Sequence, residues 1–240
     1  MTQYNSNVYD NNYVSFRTFL SKVFSTMAIG LAISGIVALL VGINYYNIIS
    51  IVGVNSFGIF MLIVIFAELG VGIYFSAGLM NMSKKTAWIC YIAYSVLTGL
   101  SLALVIQSYT TGTVLFAFIS TVILFACMAI IGHTTRIDLT RFSTIFMTGL
   151  IAIIITSLLN MLIFKSEMIN YVMAVVGVII FLGLIAYDMQ KLRAYYQRGT
   201  MDVDFQEKMM LLGAFSLYLD FINLFLRLLQ IFGRRNNSRN

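Results

Sequence analysis

Three acidic residues lie inside long apolar segments of the chain, where an ionised side chain is costly. They are Glu68, Asp188 and Asp220. A charge at the centre of a membrane span costs about 2.5–3.5 kcal/mol on insertion scales, so such residues face the protein interior and usually serve a function. Two carboxylates held together in a poor dielectric cannot both ionise at low cost, and the pair then shares a proton. Such a pair responds to pH and can contact Ca²⁺, which prefers carboxylate and carbonyl oxygens.

The last apolar segment carries a polar stripe along one helical face. Its members follow one another at steps of three and four residues and are Gly213, Ser216, Asp220, Asn223 and Arg227. A polar stripe within a span must meet protein or water and not lipid. The spacing therefore predicts that the last helix is central or lines a cavity. The alternative is a packing seam between helices that has no role in transport.

Asp188 lies near the end of the sixth apolar segment, and two interpretations of it stay open. It could form an ordinary i,i+3 pair with Lys191 at the membrane surface. It could instead meet Asp220, but only if it lies a turn or two below the surface. Glu68 precedes Gly72 and Ser76 on one helical face, so we expect it to face the bundle.

The elements that must position these residues are transmembrane helices. Of 240 residues, 60% are hydrophobic and 10% are charged, whereas a soluble domain carries about 25% charged residues. Apolar runs of about 20 residues, enough to cross a bilayer as a helix, recur seven times. They cover residues 23–43, 57–80, 87–107, 112–132, 144–164, 169–190 and 209–232. We predict an all-α membrane protein with a polar cytoplasmic tail at 1–22, a seven-helix domain at 23–232 and a basic tail at 233–240.

Basic residues concentrate in alternate gaps between the spans, which sets the orientation. The N-terminal segment and the gaps after the second, fourth and sixth spans hold Arg17, Lys22, Lys84, Lys85, Arg136, Arg141, Lys191, Arg193, Arg198 and Lys208. This predicts a multi-pass membrane protein with a cytoplasmic N-terminus. A net charge of +6 spread over such gaps is not a nucleic-acid signature.

The C-terminal arginines conflict with this orientation. Seven full spans place Arg234, Arg235 and Arg239 outside, against the positive-inside rule. Either the polar face of the last span is buried in the bundle, or the last segment re-enters the membrane and leaves on the inside. We favour seven spans.

The chain carries no motif of a soluble enzyme, and we expect neither catalysis nor a cofactor. It has no P-loop, nucleophile elbow or HExxH sequence. An intramembrane aspartyl hydrolase is disfavoured, because the acids lack the flanking glycines that we would expect. Cys90 and Cys127 both lie in apolar runs and are predicted to be buried thiols, not a disulfide.

Five segments resemble the Bax inhibitor-1 family (transmembrane Bax-inhibitor-motif proteins) in its bacterial branch. They are Thr98-Gly-Leu-Ser101, Ala117-Phe-Ile-Ser-Thr121 with Phe125, Gly132-His-Thr-Thr-Arg-Ile-Asp138-Leu, Phe181-Leu-Gly-Leu-Ile-Ala-Tyr-Asp188-Met-Gln190 and Leu217-Tyr-Leu-Asp220-Phe-Ile-Asn-Leu-Phe225. The resemblance implies a seven-helix bundle in the bacterial inner membrane with the last helix at its centre. It also implies a pH-sensitive calcium leak, in which the aspartates matching Asp188 and Asp220 form a hydrogen-bonded pair that senses protons.

Two departures from that family's pattern concern the proton sensor. Met189 stands where the family usually has threonine. The family often has an arginine near the end of the second span that latches onto the aspartates, whereas residues 75–83 hold no basic side chain here. The latch is therefore in doubt unless Arg227 or Lys84 replaces it.

The leading hypothesis is a calcium leak channel gated by protonation of Asp188 and Asp220, which would also contact Ca²⁺ in passage. Glu68, Ser216, Asn223 and Arg227 are the candidate supporting residues of the ion pathway. The partners are then the lipid bilayer and Ca²⁺, with no nucleic acid. The alternative is a regulator that does not conduct ions and binds a membrane protein such as a quality-control protease.

Overall fold

The computed structural model describes residues 15–198 and 203–237, and nearly all of them are helical. The α-helices of this described part are α1 (Phe16–Ile43), α2 (Tyr45–Val52), α3 (Val54–Gly78), α4 (Lys84–Gln107), α5 (Thr111–Thr134), α6 (Ser143–Leu159), α7 (Glu167–Arg198) and α8 (Val203–Asn237). Short 3₁₀ turns occupy Leu79–Asn81 and Leu139–Phe142, and a π turn occupies Asn160–Phe164. Most of the predicted N-terminal tail and the last three residues of the basic tail lie outside the described residues.

All of these helices except α2 are long and apolar enough to cross a membrane, which confirms the predicted all-α bundle. Three spans are much longer than predicted. The first helix begins at Phe16 and not at residue 23, and α7 continues to Arg198, eight residues beyond the predicted end. The last helix covers Val203–Asn237, whereas the prediction was 209–232. The short helix α2 was not predicted, and Gly53, whose φ is +83°, separates it from α3.

The last helix is the centre of the bundle. In an apolar stretch of 18 residues in α8, 72% of the residues are buried. In the corresponding stretches of the other spans, 11–33% of the residues are buried. Helices α1, α4, α5 and α7 pack around it, while α3 packs mainly against α4 and α6 against α7. Within the polar stripe of this helix Gly213 and Asp220 are buried, whereas Ser216, Asn223 and Arg227 are half-buried. The central position agrees with the spacing, although the stripe is only partly covered by protein.

The same helix crosses the whole bundle without a break. It begins beside the start of α4, where Lys84 forms ion pairs with Asp204 (3.2 Å) and Glu207 (2.9 Å). Its far end packs Gly233 against Tyr109, just after the end of α4. The two ends therefore lie on opposite faces, which favours seven full spans over a re-entrant last segment.

Local side-chain chemistry sets several helix ends. The hydroxyl groups of Ser15, Ser83 and Thr110 accept hydrogen bonds from backbone N–H groups three residues later, at 3.2–3.3 Å, as helix N-caps do. At the turn between α6 and α7, the buried Asn160 amide donates to the Ser166 carbonyl (3.0 Å) and accepts from its N–H (3.0 Å). These bonds close the turn without a proline, of which the chain has none.

The two cysteines are free, as predicted, but the prediction that both are buried is wrong. The Cys90 side chain is half-buried, and that of Cys127 is exposed on the outer surface of α5. An exposed position on a span faces acyl chains, where a small apolar thiol is as acceptable as it is in a protein core.

The topology can be tested with single cysteines introduced after both native ones are replaced by alanine. We expect Ser83→Cys and Gln197→Cys to be protected from an impermeant thiol reagent added outside intact cells, because basic gaps stay inside. Asn237→Cys should react, because α8 crosses completely. Labelling of the first two sites would contradict the orientation, and protection of the third would contradict seven spans.

Candidate functional site

Asp188 and Asp220 are buried on α7 and α8, two helices that pack extensively against each other. Their exposed fractions are 8% and 6%, and the two carboxyl groups are close enough for their charges to interact. The extended α7 explains how they meet. Because the helix continues ten residues past Asp188, that residue lies about 15 Å from the helix end and not at the surface.

The hydrogen bonding of this pair is incomplete. The Ser216 hydroxyl lies near the Asp188 carboxyl group. One oxygen of Asp220, Oδ2, is buried and has no hydrogen-bond partner in the described part of the chain. A buried carboxylate oxygen without a donor is expensive unless the carboxyl group is protonated or binds a cation. The geometry therefore suits a pair that exchanges protons or contacts a passing cation.

Among the described residues, the cation that acts electrostatically on both aspartates is Lys191 and not one of the two latch candidates. The Lys191 ammonium group lies 5.6 Å from the centre of the Tyr187 ring. Arg227 bonds with Gln230 (3.3 Å), and Lys84 is engaged by the acids at the start of α8. Neither latch candidate contacts the aspartates in this conformation.

The polar stripe of α8 faces α7 along most of its length. Gly213 packs on Leu192, Ser216 approaches Asp188, and a Cβ at Gly177 would lie 3.1 Å from Arg227 Nε. Asn223 is the exception, since its amide donates to the Leu219 carbonyl of its own helix (2.8 Å).

Two glycines allow the close packing that fixes Asp188. A Cβ at Gly132 of α5 would lie 2.7 Å from Ala186 Cα, two residues before Asp188. A Cβ at Gly213 of α8 would collide with Leu192, one turn after Asp188. Ala186 and Leu192 both lie on α7, so α5 and α8 pack closely against α7 just before and just after Asp188.

The loop between α5 and α6 is hydrogen-bonded to α7 beside the site, a contact that no pattern in the sequence predicts. Gln190 accepts from the Leu139 N–H (2.9 Å) and donates to the Ile137 carbonyl (2.7 Å). Asp138 accepts from both the hydroxyl and the N–H of Thr140, and these bonds hold the pKa of Asp138 below its usual value. Met189, the departure from the expected threonine, is buried in the core beside this contact.

Glu68 does not join the aspartate pair. Its two carboxylate oxygens accept hydrogen bonds from the hydroxyl groups of Thr98 (2.8 Å) and Ser101 (2.7 Å) of α4. The acid faces the bundle, as predicted, but on the side of α8 where Tyr218 bonds with Ser34 (2.6 Å). Thr98 and Ser101 belong to a polar row on α4 that the sequence shows, but nothing in the sequence links that row to Glu68.

A resident metal centre has no support in the described residues, which hold no cluster of three or more His, Cys, Asp or Glu side chains. Ca²⁺ takes six to eight oxygen ligands in a stable site. Two aspartates with Ser216 are fewer than that, so the site suits brief contact better than retention.

Comparisons with known proteins cover nearly the whole chain. The family described as "Inhibitor of apoptosis-promoting Bax1" matches residues 16–237. An uncharacterized protein of Borreliella burgdorferi is 38% identical over 92% of this chain and 93% of its own length. The inner membrane protein YbhL of Escherichia coli K12 is 36% identical over 91% and 92%. The uncharacterized protein RP147 of Rickettsia prowazekii is 36% identical over 92% and 91%.

The contact between Gly132 and Ala186 predicts a stability change. We expect Gly132→Ala to lower the free energy of unfolding by about 1–3 kcal/mol, because the added methyl group meets backbone that cannot rotate away. Gly70→Ala is the matched control, since nothing lies within 4 Å of a Cβ there. Thermal unfolding of the purified proteins measures both, and equal melting temperatures would contradict the packing described.

Proposed function

Because the chain belongs to the Bax inhibitor-1 family of multi-pass membrane proteins, we propose that it is a pH-sensitive calcium leak channel gated by Asp188 and Asp220. The observation that carries the proposal is the burial of these two interacting carboxyl groups on α7 and the central helix α8. Two carboxyl groups are costly to place inside a bilayer, and packing between helices does not require them.

The pair can act as a switch because its two members do not ionise independently. In a poor dielectric one shared proton keeps both carboxyl groups together, and its loss leaves two like charges in contact. Repulsion between them acts directly on the packing of α7 against α8. Lys191 is the cation best placed to stabilise the newly charged state, with Arg227 farther along the stripe.

The central position of α8 converts this local event into a change of the bundle. Since α1, α4, α5 and α7 all pack on α8, a shift of α8 against α7 alters the space between several helices at once. Ser216 and Asn223 line the same polar stripe, and Glu68 lies across the central helix. Their oxygens are of the kind that Ca²⁺ prefers, and we assign them to the ion pathway.

The coupled pair predicts a specific pattern of mutant effects on calcium flux. Asp188→Asn and Asp220→Asn each remove the repulsion while keeping a similar shape, so each should flatten the pH dependence. The double mutant should do little more than either single mutant, because members of one coupled unit are not additive. Flux into purified-protein liposomes from about pH 5 to 8, the range into which burial can move a carboxyl group, measures this.

Asp138→Asn is the matched control, since it removes an exposed carboxylate outside the spans. It should keep the wild-type pH profile. If both single mutants also keep that profile, the paired sensor is wrong and the stripe on α8 is only packing. Wild-type protein that is silent in pure-lipid vesicles at every pH would instead favour a regulator that needs a membrane-protein partner.

Glu68 gives an independent test of the pathway. We expect Glu68→Gln to change calcium flux by several-fold while the protein still inserts and folds, because a charge that attracts a cation within the bundle is lost. Glu167→Gln, at the exposed start of α7, should leave flux unchanged. If Glu68→Gln keeps the wild-type calcium flux across the same pH range, Glu68 is not part of the ion pathway and only contributes to helix packing.

A further inference from the structure

A groove on the outside of the bundle leads from the lipid to the central helix. It lies between α3 and α8 in front of α4, has a volume of about 470 Å³ and is lined by Glu68, Ile73, Tyr94, Phe215 and Leu219, among others. It exists because α3 packs mainly against α4 and makes few contacts with α8. Ile73 at its rim is 69% exposed, so the groove opens toward acyl chains.

Glu68 is the one acid of this groove, and it lies deep in the membrane. The span that contains it covers Val54–Asn81, so Glu68 is about 20 Å from either end. Two hydroxyl groups donate to its oxygens, which leaves further lone pairs of both oxygens free to accept. Within the described residues, Glu68 forms no ion pair.

We propose that this groove binds a compact hydrophobic amine that enters from the bilayer and pairs its ammonium group with Glu68. The volume lies within the range of about 300–1,000 Å³ that is usual for small-molecule pockets, which combine apolar walls with a few polar anchors. The rings of Tyr94 and Phe215 also line the groove and suit an organic cation with an apolar body.

Two other occupants fit the groove less well. A stably bound Ca²⁺ needs six to eight oxygen ligands, whereas the wall around Glu68 is almost entirely apolar, so the groove suits brief passage of Ca²⁺ and not its retention. A second copy of the chain would need a basic side chain at the same depth. The Lys and Arg residues within the described spans all lie within seven residues of a span end, far from the depth of Glu68.

Photoaffinity labelling in protein-containing vesicles tests the proposal directly. The probe is a phenylalkyl tertiary amine that carries a diazirine, and its control is the neutral isostere in which carbon replaces the nitrogen. We expect peptides containing Leu69, Ile73 or Leu219 to be labelled about tenfold more by the amine than by the isostere, as one charge-assisted hydrogen bond warrants. Labelling elsewhere on the lipid-facing surface should be similar for both compounds.

Two variants show whether the amine binds through an ion pair with Glu68 or only through apolar contacts in the groove. Glu68→Gln should abolish the preference for the amine, whereas Glu167→Gln should keep it. Ser76→Phe keeps the carboxylate but fills the groove from its exposed rim, so it should reduce labelling by the amine as well. Equal labelling by amine and isostere, or an undiminished preference in Glu68→Gln, would overturn the proposal. No calcium gradient is used, so the result is independent of whether the protein conducts Ca²⁺.

Discussion

The need to keep one polar helix face out of contact with lipid governs the architecture. Five residues of α8, spaced along one face, include an acid and a base that a bilayer does not accept without protein or water around them. The other spans can each leave most of their surface to the lipid, and their exposed side chains are accordingly Ile, Leu, Val and Phe. Only α8 is enclosed, and the positions of α1, α4, α5 and α7 follow from that enclosure.

The two acidic sites of the bundle differ in what satisfies them. Glu68 receives hydroxyl donors from α4 on both oxygens, so its orientation is fixed by a helix other than α7 and α8. Asp220 has a buried oxygen without a donor, and Asp188 has only the nearby Ser216 hydroxyl. The Glu68 carboxylate is therefore satisfied by its hydrogen bonds, whereas the buried Asp220 oxygen needs a proton or a cation to be satisfied. This contrast follows from hydrogen bonding alone, without reference to the position of either site along the chain.

The periodicity within each helix could be read from the sequence, whereas the contacts between helices could not. The seven spans and the central last helix follow from hydropathy and from steps of three and four residues, which are local properties. The depth of Asp188 could not be read, because Lys191 and Arg193 signal the end of a span although the helix continues through them. The bonds of Gln190 to the loop and of Thr98 to Glu68 join residues more than 29 positions apart, and no local rule connects them. The resemblance to known proteins supplied the aspartate pairing that spacing alone left open.

The length of the last two helices makes the bundle sensitive to the thickness of its membrane. Helices α7 and α8 have 32 and 35 residues, or about 48 and 53 Å, whereas a hydrocarbon core is about 30 Å thick. They must tilt, or project beyond the lipid, and the balance between the two depends on the bilayer. Because α7 and α8 pack against each other, a change of tilt alters the packing around the central helix. The thickness of the bilayer therefore acts on the same pair of helices that carries Asp188 and Asp220.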